Sequence, residues 1–236
     1  MKMGMGIEKR WKPFTTIQPD EIDNLKFWYK ADVGVLDAGS DPCDDGEDVV
    51  TWKDQSGNGY DLLQATGTQQ PLWQDDQLNG HPAVQFDGID DFMQVVFGHE
   101  YTQPNTIFIV FKDPTYVALT YIYSCAGSER FYQKADKYVI YAGTELFSTQ
   151  PAGGTSWRLS RNLFNGASSA IYFDGVLKKS GNTGTASITA LTLAAYGAGT
   201  SPSNPNIAEV IGYNANVSAR DCALIRAYLN IKYAIY

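Results

Sequence analysis

The sequence has few of the residues that most catalytic and metal-binding sites use. Its 236 residues include two histidines and three cysteines, and charged residues make up 19% of the chain. Cys43, Cys125 and Cys222 are far apart and form no Cys-x-x-Cys pair, so we do not expect a zinc site. Neither histidine lies in a context that would activate a thiolate. We therefore interpret the three cysteines as buried structural residues.

Basic residues and long apolar runs are also scarce, and this excludes two classes of partner. The chain has 26 acidic and 18 basic residues, a net charge of −8, whereas nucleic-acid binding needs a basic face. No apolar run reaches the length of about 18 residues that spans a membrane. We therefore expect no nucleic-acid partner and no membrane span. The first ten residues lack the apolar stretch of a secretory signal.

The apolar residues follow a period of two more often than one of 3.6, which is typical of strands. Turn pairs such as Asn58-Gly59 and Asp174-Gly175 separate the runs. About a dozen short runs at such spacing predict an all-β sandwich or barrel. The predicted strands lie at 25–31, 49–52, 83–86, 92–97, 106–111, 121–125, 138–141, 156–159, 169–173, 191–195 and 208–213.

Two helices are predicted at the ends of this pattern. The first is short and begins at Pro19-Asp20-Glu21, where proline and the carboxylates suit a first helical turn. The second begins at Ser218, with Asp221 three residues later in a capping arrangement. It then continues with helical spacing through Leu224, Ile225, Tyr228, Leu229 and Lys232.

One domain preceded by a short arm is the simplest organisation. Residues 1–18 form a Met- and Gly-rich arm that contains Trp11, Pro13 and Phe14. We expect this arm to dock on a neighbouring chain, and the alternative is that it folds on its own domain. Residues 19–236 are expected to form the single domain.

Several segments, in order, resemble the laminin G-like branch of the concanavalin A-like lectin/glucanase superfamily. They are LKFWYKAD (25–32), VTWKDQSGNG (50–59), LNGHPAVQFDGIDDF (78–92), IYFDGVL (171–177), AEVIGYN (208–214) and YLNIKY (228–233). The resemblance implies a jelly-roll sandwich of two antiparallel sheets, usually a non-catalytic binding or adhesive module. Chains of this pattern are common in tailed-phage virions and in surface proteins of aquatic bacteria.

The glycine-rich segment at residues 52–61 has a structural and a functional interpretation. Asp54, Ser56 and Asn58 can fold their side chains onto nearby backbone amides and hold the loop, which is the interpretation we favour. A ligand contact is the alternative.

No catalytic site is predicted. Glucanases of the superfamily carry a Glu-x-Asp-x-Glu type run on one strand, with carboxylates on one face. The one local similarity is Glu21-Ile22-Asp23, but Leu25 and Lys26 occupy the places of the second glutamate and Pro19 indicates a helical turn. Acidic residues that converge only in the folded chain would still allow a non-standard hydrolase.

Two acidic clusters have the composition of a calcium site, and many relatives of this fold bind calcium near a sheet edge. One consists of Asp87, Asp90 and Asp91, and its alternative is a turn whose carboxylates cap backbone amides. The other is expected to be a solvated loop if it holds no ion. It consists of Asp41, Asp44, Asp45, Glu47 and Asp48. No cofactor is required, and calcium is an optional one.

Aromatic residues near strand ends and loops are the candidates for glycan binding, because sugars are held by aromatic faces and a few placed polar groups. Trp28 and Trp52 lie within strand patterns and are assigned to the core. Packing in the core or at a subunit interface is an equal alternative for the candidates. The candidates are Trp73, Tyr101, Tyr116, Tyr121, Tyr132 and Trp157.

The combined prediction is a non-enzymatic virion structural protein, a phage capsid decoration, fibre or tail component of the extracellular particle. Its lectin-like domain is expected to bind host-surface or environmental glycans. Its partners are expected to be other virion subunits, either as a homo-oligomer or on the capsid or tail through residues 1–18. The low proportion of charge favours such packing. Two alternatives stay open: a free bacterial carbohydrate-binding module or adhesin, and a glycoside hydrolase.

Overall fold

The computed structural model of the chain describes residues 17–126 and 129–236. Within these residues two antiparallel sheets pack face to face, and one α-helix covers the outer side of one sheet. The predicted all-β, two-sheet jelly-roll sandwich with a C-terminal helix is confirmed. None of the helices in the described ranges has the length and apolarity that crossing a membrane requires.

The strands are short and numbered along the chain. They are β1 (Leu25–Lys30), β2 (Val35–Leu36), β3 (Thr51–Trp52), β4 (Leu62–Leu63), β5 (Leu72–Leu78), β6 (His81–Gln85), β7 (Met93–Tyr101), β8 (Asn105–Asp113), β9 (Tyr121–Ser124), β10 (Arg130–Lys134), β11 (Lys137–Tyr141), β12 (Glu145–Pro151), β13 (Gly154–Phe164), β14 (Ser169–Phe173), β15 (Val176–Gly181), β16 (Ile188–Leu193) and β17 (Asn206–Tyr213). Three 3-10 helices, Pro19–Glu21, Gly67–Gln69 and Gly166–Ser168, and α1 (Ala219–Tyr233) complete the described elements.

Two sheets are formed by these strands. Sheet A has the order β15-β14-β13-β8-β17-β6-β5, with β1 also paired to β17. Sheet B has the order β12-β11-β10-β9-β16-β7-β4-β3-β2. The main core fills the space between the sheets and includes Trp52, while Trp28 packs in a second cluster between sheet A and α1. Both tryptophans are therefore buried, as expected, and so are the three free cysteines.

Strand β17, an inner strand of sheet A, is buried on both faces. Ile207 and Val210 of β17 lie in the core between the sheets, whereas Ala208 and Ile211 lie in the cluster beneath α1. A shift in register between Ile207 and Glu209 accommodates the change of face. Burial on both sides explains why this strand has a nearly continuous apolar sequence.

Helix α1 begins where its sequence predicts, and it ends three residues before the C-terminus. The Ser218 hydroxyl accepts a hydrogen bond from the Asp221 backbone amide at 3.1 Å, so the predicted cap is confirmed. The helix ends at Ala234, whose φ of 48° is left-handed. Its buried side is formed by Cys222, Ile225, Tyr228, Leu229 and Tyr233.

A buried polar network also holds α1 against sheet A. Glu209, 1% exposed, accepts hydrogen bonds from Trp28 Nε1 at 2.7 Å and from the Tyr233 hydroxyl at 2.9 Å. Lys232 Nζ lies 3.0 Å from Glu209 and 3.1 Å from Asp32. Because each oxygen of the Glu209 carboxylate has a partner, the buried charge is compensated.

The predicted N-terminal helix is a single 3-10 turn. At the start of this turn, the Gln18 backbone amide donates to Glu21 Oε2 at 2.6 Å. Ile17 packs against the cluster beneath α1. Residues 1–16, including Trp11, Pro13 and Phe14, lie outside the described residues. Docking of the arm on another chain therefore stays a prediction.

Six strands lie outside the predicted runs, namely β2, β4, β5, β10, β12 and β15. In β10 the outward residues are Arg130, Tyr132 and Lys134, and the inward Gln133 is buried although it is polar. This pattern has no apolar alternation to detect. β12 and β15 are edge strands, which expose more of their side chains.

Candidate functional site

The outer side of sheet B is a sheet face that α1 does not cover, because α1 packs on sheet A instead. One half of this face is built by four neighbouring strands, β9 to β12. Side chains on alternate residues of a strand point to the same side of the sheet. The outward residues of these four strands are therefore brought into rows.

Register determines which side chains meet in these rows. Tyr121 lies opposite Tyr132, Tyr132 opposite Val139, and Val139 opposite Phe147. In the adjacent row Arg130 lies opposite Tyr141, and Tyr141 opposite Glu145. Tyr196, from the segment after β16, joins them. We call this surface the tyrosine face, and it consists of Tyr121, Arg130, Tyr132, Lys134, Tyr141, Glu145, Phe147 and Tyr196.

The rings of the tyrosine face contact one another and one guanidinium group. Tyr121 stacks on Tyr132 with ring centroids 5.1 Å apart, and it contacts Tyr196 at 5.2 Å. The Arg130 guanidinium lies 4.7 Å from the ring centroid of Tyr141 and 4.6 Å from that of Tyr196. Its Nη2 donates to the Tyr196 hydroxyl at 3.3 Å. The contacts hold these rings in a fixed arrangement, in which Tyr132 is buried and Tyr196 is exposed.

A carboxylate completes the tyrosine face. Glu145 Oε1 accepts hydrogen bonds from Lys134 Nζ and from the Tyr132 hydroxyl, each at 2.6 Å. These two hydrogen bonds hold the pKa of Glu145 below its ordinary value. Burial, together with the hydrogen bond to Glu145, raises the pKa of Tyr132. At neutral pH the face therefore carries a charged carboxylate and a neutral, hydrogen-bonded phenol.

This combination suits a neutral polar ligand. Tyr196 is 38% exposed and Tyr121, Tyr141 and Phe147 are half-buried, so ring surface and hydroxyl groups are both accessible. Aromatic surface binds the apolar side of a sugar ring, and hydroxyl and charged groups hydrogen-bond to its edge. Two of the six predicted glycan-binding residues, Tyr121 and Tyr132, are brought together here.

The other four candidates lie elsewhere. Tyr101 is buried in the core, where its hydroxyl is 2.9 Å from that of Tyr60. Trp73 packs against the core and donates from Nε1 to the Ala31 carbonyl at 2.7 Å. Both are placed as packing residues, the alternative that the sequence left open.

Trp157 lies on the opposite side of the molecule. Its Nε1 donates to the Gln77 carbonyl at 3.0 Å, and Lys112 Nζ is 5.3 Å from its ring centroid. Tyr116 is half-buried in the loop after β8, against Gly153. Neither residue is part of the tyrosine face.

Sequence reasoning missed most of the tyrosine face because it missed the strands that carry it. β10 and β12 were not predicted, so Arg130, Lys134 and Phe147 had no assigned direction. Tyr141 was in a predicted strand, and its alternation with Val139 was the available signal. Tyr196 reaches the face from a loop, which no local pattern indicates.

The carboxylates of Asp87, Asp90 and Asp91 lie close together, and the cluster also bonds to backbone amides. Its three carboxylates have oxygens within 4.8 Å of one another, as ligands of one ion would. Asp87 Oδ1 also accepts from the Ile89 backbone amide at 2.7 Å, which is the capping interpretation. Burial, then the charges of Asp87, Asp90 and Asp48, raises the pKa of Asp91 to about 7.

The second acidic cluster is a loop whose carboxylates bond to backbone amides. The Asp44 amide donates to Glu47 Oε2 at 2.7 Å, and the Asp75 amide donates to Asp45 Oδ1 at 2.9 Å. Asp41 and Asp48 lie in the same loop. Among the residues that the structure describes, this loop brings no three carboxylates as close together as the first cluster does.

Hydrogen bonds hold the glycine-rich loop at residues 52–61 as expected. Asp54 Oδ1 accepts from the backbone amides of Trp28 and Ser56, each at 2.9 Å, and Oδ2 accepts from the Tyr60 amide at 3.1 Å. Asn58 Nδ2 donates to the Lys26 carbonyl at 3.0 Å. The loop is thereby tied to β1, which is a structural role.

Comparison with known proteins identifies the class of fold. No family model matches the chain, and no curated protein is similar to it in sequence. Solved structures do match, among them toxin binding domains, a sialidase from Trypanosoma rangeli and a domain of an arabinanase, and they support a β-sandwich fold. Because the sequence identities are 14% or lower in the structures described next, the similarity shows the fold alone.

Three of these structures illustrate the similarity. The binding domain of Paraclostridial Mosquitocidal Protein 1 has a TM-score of 0.64 at 12% identity, covering 90% of this chain and 54% of that one. The binding domain of botulinum neurotoxin serotype D has a TM-score of 0.60 at 10% identity, covering 89% and 52%. Domain 4 of the arabinanase AbnA from Geobacillus stearothermophilus, in complex with arabinotriose, has a TM-score of 0.58 at 14% identity, covering 80% and 92%. The chain thus spans about half of each toxin domain and nearly all of the arabinanase domain.

Proposed function

We propose that this chain is a non-enzymatic, lectin-like structural protein of a virion, and that it binds host-surface or environmental glycans at the tyrosine face. The observation that carries the binding part is the tyrosine face itself. It places accessible rings beside a fixed carboxylate and two cationic groups on a sheet that no described helix covers. The fold is shared with a domain whose structure contains arabinotriose, which supports a sugar ligand.

Binding rather than hydrolysis is supported by the charge of this face. Glu145 is the single carboxylate among its eight defining residues, and Tyr132 and Lys134 both engage it. Glycoside hydrolysis ordinarily uses a pair of carboxylates on either side of the scissile bond. Incubation with β-glucans tests this point, and sugar release that a single Asp or Glu substitution abolishes would contradict it.

A glycan array tests the binding site with a matched pair of tyrosine substitutions. Tyr196→Ala removes an exposed ring from the tyrosine face, and Tyr236→Ala removes an exposed ring outside it. The wild-type chain and Tyr236→Ala should bind the same glycans. Tyr196→Ala should lose about tenfold in affinity, which corresponds to about 1.4 kcal/mol. Equal binding by all three proteins, or no binding by the wild type, would refute the site.

The virion part of the proposal depends on the resemblance of the ordered segments to phage virion chains and on the low proportion of charge. The chain would act as a capsid decoration, fibre or tail subunit, attached through residues 1–18. Antibodies against the purified chain should label intact particles in electron microscopy. A protein that stays a monomer and labels no particle would contradict this part and leave the glycan site standing.

A free carbohydrate-binding module or adhesin of a bacterium is the second candidate, and the similarity to the arabinanase domain favours it. Both candidates predict binding on the array. They differ in assembly, because a free module binds as a monomer without a particle. Light scattering of the purified full chain, alone and with particles, separates them.

Calcium is proposed as an optional ligand of Asp87, Asp90 and Asp91. The residues fit a hard cation, because their oxygens converge and Asp91 is buried with no basic group within 4.0 Å in the described ranges. Added calcium should raise the melting midpoint relative to chelator, and Asp90→Asn should abolish the difference. Identical midpoints of the wild type in calcium and chelator would remove calcium from the account.

A further inference from the structure

We propose that a cavity between sheet A and the first turns of α1 binds a small oxyanion, meaning a carboxylate, sulfate or phosphate group. The cavity lies on the opposite side of the sandwich from the tyrosine face, and neither the proposed glycan site nor the calcium cluster uses it. Its volume is about 230 Å³. The residues that line it are Leu159, Arg161, Tyr172, Gly175, Ala219, Cys222 and Arg226.

Neighbouring strands and one helix face bring the lining together. Arg161 of β13 lies directly opposite Tyr172 of β14, and its guanidinium is 3.6 Å from the ring centroid of Tyr172. Ala219, Cys222 and Arg226 are spaced so that they lie on one side of α1. Two arginines from different elements therefore face one cavity, and a flat ring holds one of them in place.

Gly175 is required for this arrangement. The Asp174-Gly175 turn has positive φ at both residues, 51° and 78°, as a two-residue hairpin turn demands. A Cβ on Gly175 would also overlap the guanidinium of Arg226, whose Nη1 lies 3.4 Å from the Gly175 carbonyl oxygen. The close approach of the turn thus sets the position of Arg226 at the wall of the cavity.

Both arginines lack an acidic partner. Among the described residues, no carboxylate oxygen lies within 4.0 Å of either guanidinium. Two acidic residues lie on the surrounding elements, but each carboxylate accepts a hydrogen bond from a group other than these arginines. Asp174 Oδ1 accepts from the Leu159 backbone amide at 2.9 Å, and Asp221 Oδ2 accepts from the Ser218 hydroxyl at 2.7 Å. Two guanidiniums that have no acidic partner within 4.0 Å in the described ranges thus face one cavity, where they can bind an external anion.

The helix strengthens the attraction. α1 has 15 residues, and its first residue lines the cavity. The N-terminal end of a helix carries a partial positive charge, which adds to that of the two arginines. A guanidinium fork binds carboxylate, sulfate and phosphate oxygens with paired hydrogen bonds. These three groups share the recognition chemistry, and the cavity has room for a sugar acid as well as a free ion.

The test is a titration of the full chain, followed by NMR, with sulfate, inorganic phosphate and glucuronate as separate probes. Sodium chloride at matched ionic strength controls for screening. At least one probe should bind saturably, with shifts at Tyr172 and in the first turns of α1. Binding of glucuronate alone assigns a carboxylate, and binding of sulfate or phosphate assigns a tetrahedral oxyanion. No saturable binding of any probe would overturn the proposal.

Substitutions test whether the oxyanion binds in this cavity. Arg226→Gln should weaken binding about tenfold or more, whereas Arg220→Gln, an exposed arginine of the same helix that does not line the cavity, should not. Ala219→Glu provides a second variant that suits a helix N-terminus and puts a carboxylate beside the cavity, and it should also abolish binding. Tyr196→Ala should leave oxyanion binding unchanged, so this result is independent of the glycan site. Unchanged affinity in Arg226→Gln or Ala219→Glu would overturn the proposal.

Discussion

The buried carboxyl of Asp113 should make the stability of the fold depend on pH in a direction opposite to that of most carboxylates. Asp113 is 1% exposed at the end of β8 and accepts a hydrogen bond from Gln133 Nε2. Burial raises its pKa to about 7, although hydrogen bonds from Gln133 and Tyr138 and the charge of Arg158 act in the other direction. Asp113 Oδ1 and Gln133 Oε1 have no hydrogen-bond donor, and a proton on Asp113 supplies one.

The magnitude follows from the two pKa values. The native state holds the proton up to about pH 7, whereas the unfolded chain releases it near 3.8. Between these values the native state binds more protons, so the free energy of unfolding decreases as pH rises. From about pH 5 to about pH 8 the loss due to Asp113 is about 2 to 3 kcal/mol.

Urea unfolding followed by tryptophan fluorescence measures this loss. Asp113→Asn keeps the shape, stays neutral and offers an amide donor, so it should remove Asp113's share of the pH dependence. The difference in unfolding free energy between the wild type and Asp113→Asn should change by about 2 to 3 kcal/mol across the same range. A difference that is constant with pH would refute the reasoning, because it would mean that Asp113 is already ionised in the native state.

Two further predictions concern packing. Lys232→Ala leaves the buried Glu209 without its cation, so it should lower the free energy of unfolding by about 3 kcal/mol in the same urea assay. A decrease below about 1 kcal/mol would contradict the compensating role of the lysine. Gly212→Ala places a Cβ against the ring of Phe27 and should lower the free energy of unfolding by about 1 to 3 kcal/mol. The control Gly67→Ala adds a Cβ that meets nothing within 4 Å, and it should lower this free energy by less than about 1 kcal/mol. Equal unfolding midpoints for the two variants would contradict the close packing of β1 on β17.

The sandwich could be predicted because its inner strands have strong patterns. β8 and β17 are buried on both faces, and such strands have apolar sequences bounded by turn residues. The helix α1 could be located from Ser218 and its capping partner alone. These features are local, so the sequence contains them without knowledge of the fold.

Most of the tyrosine face could not be predicted, since it depends on long-range register. Arg130 meets Tyr196 across 66 positions of sequence, and Tyr132 meets Glu145 across 13. Of the two inward residues of β10, Phe131 is apolar but Gln133 is polar although it is buried, and this interrupts the apolar alternation. Tyr121 and Tyr132 were identified as aromatics near strand ends, but nothing local distinguished them from Tyr101, which packs in the core.

The most direct test of the account is an NMR titration of the isotope-labelled chain with the glycan that it binds best on the array. We predict that chemical shifts change for Tyr121, Tyr141 and Tyr196 and along β9 to β12, while resonances near Arg161 and Arg226 stay in place. Changes confined to the side of the sandwich that carries α1, or none at all at saturating glycan, would contradict the claim that the exposed side of sheet B is the adhesive surface.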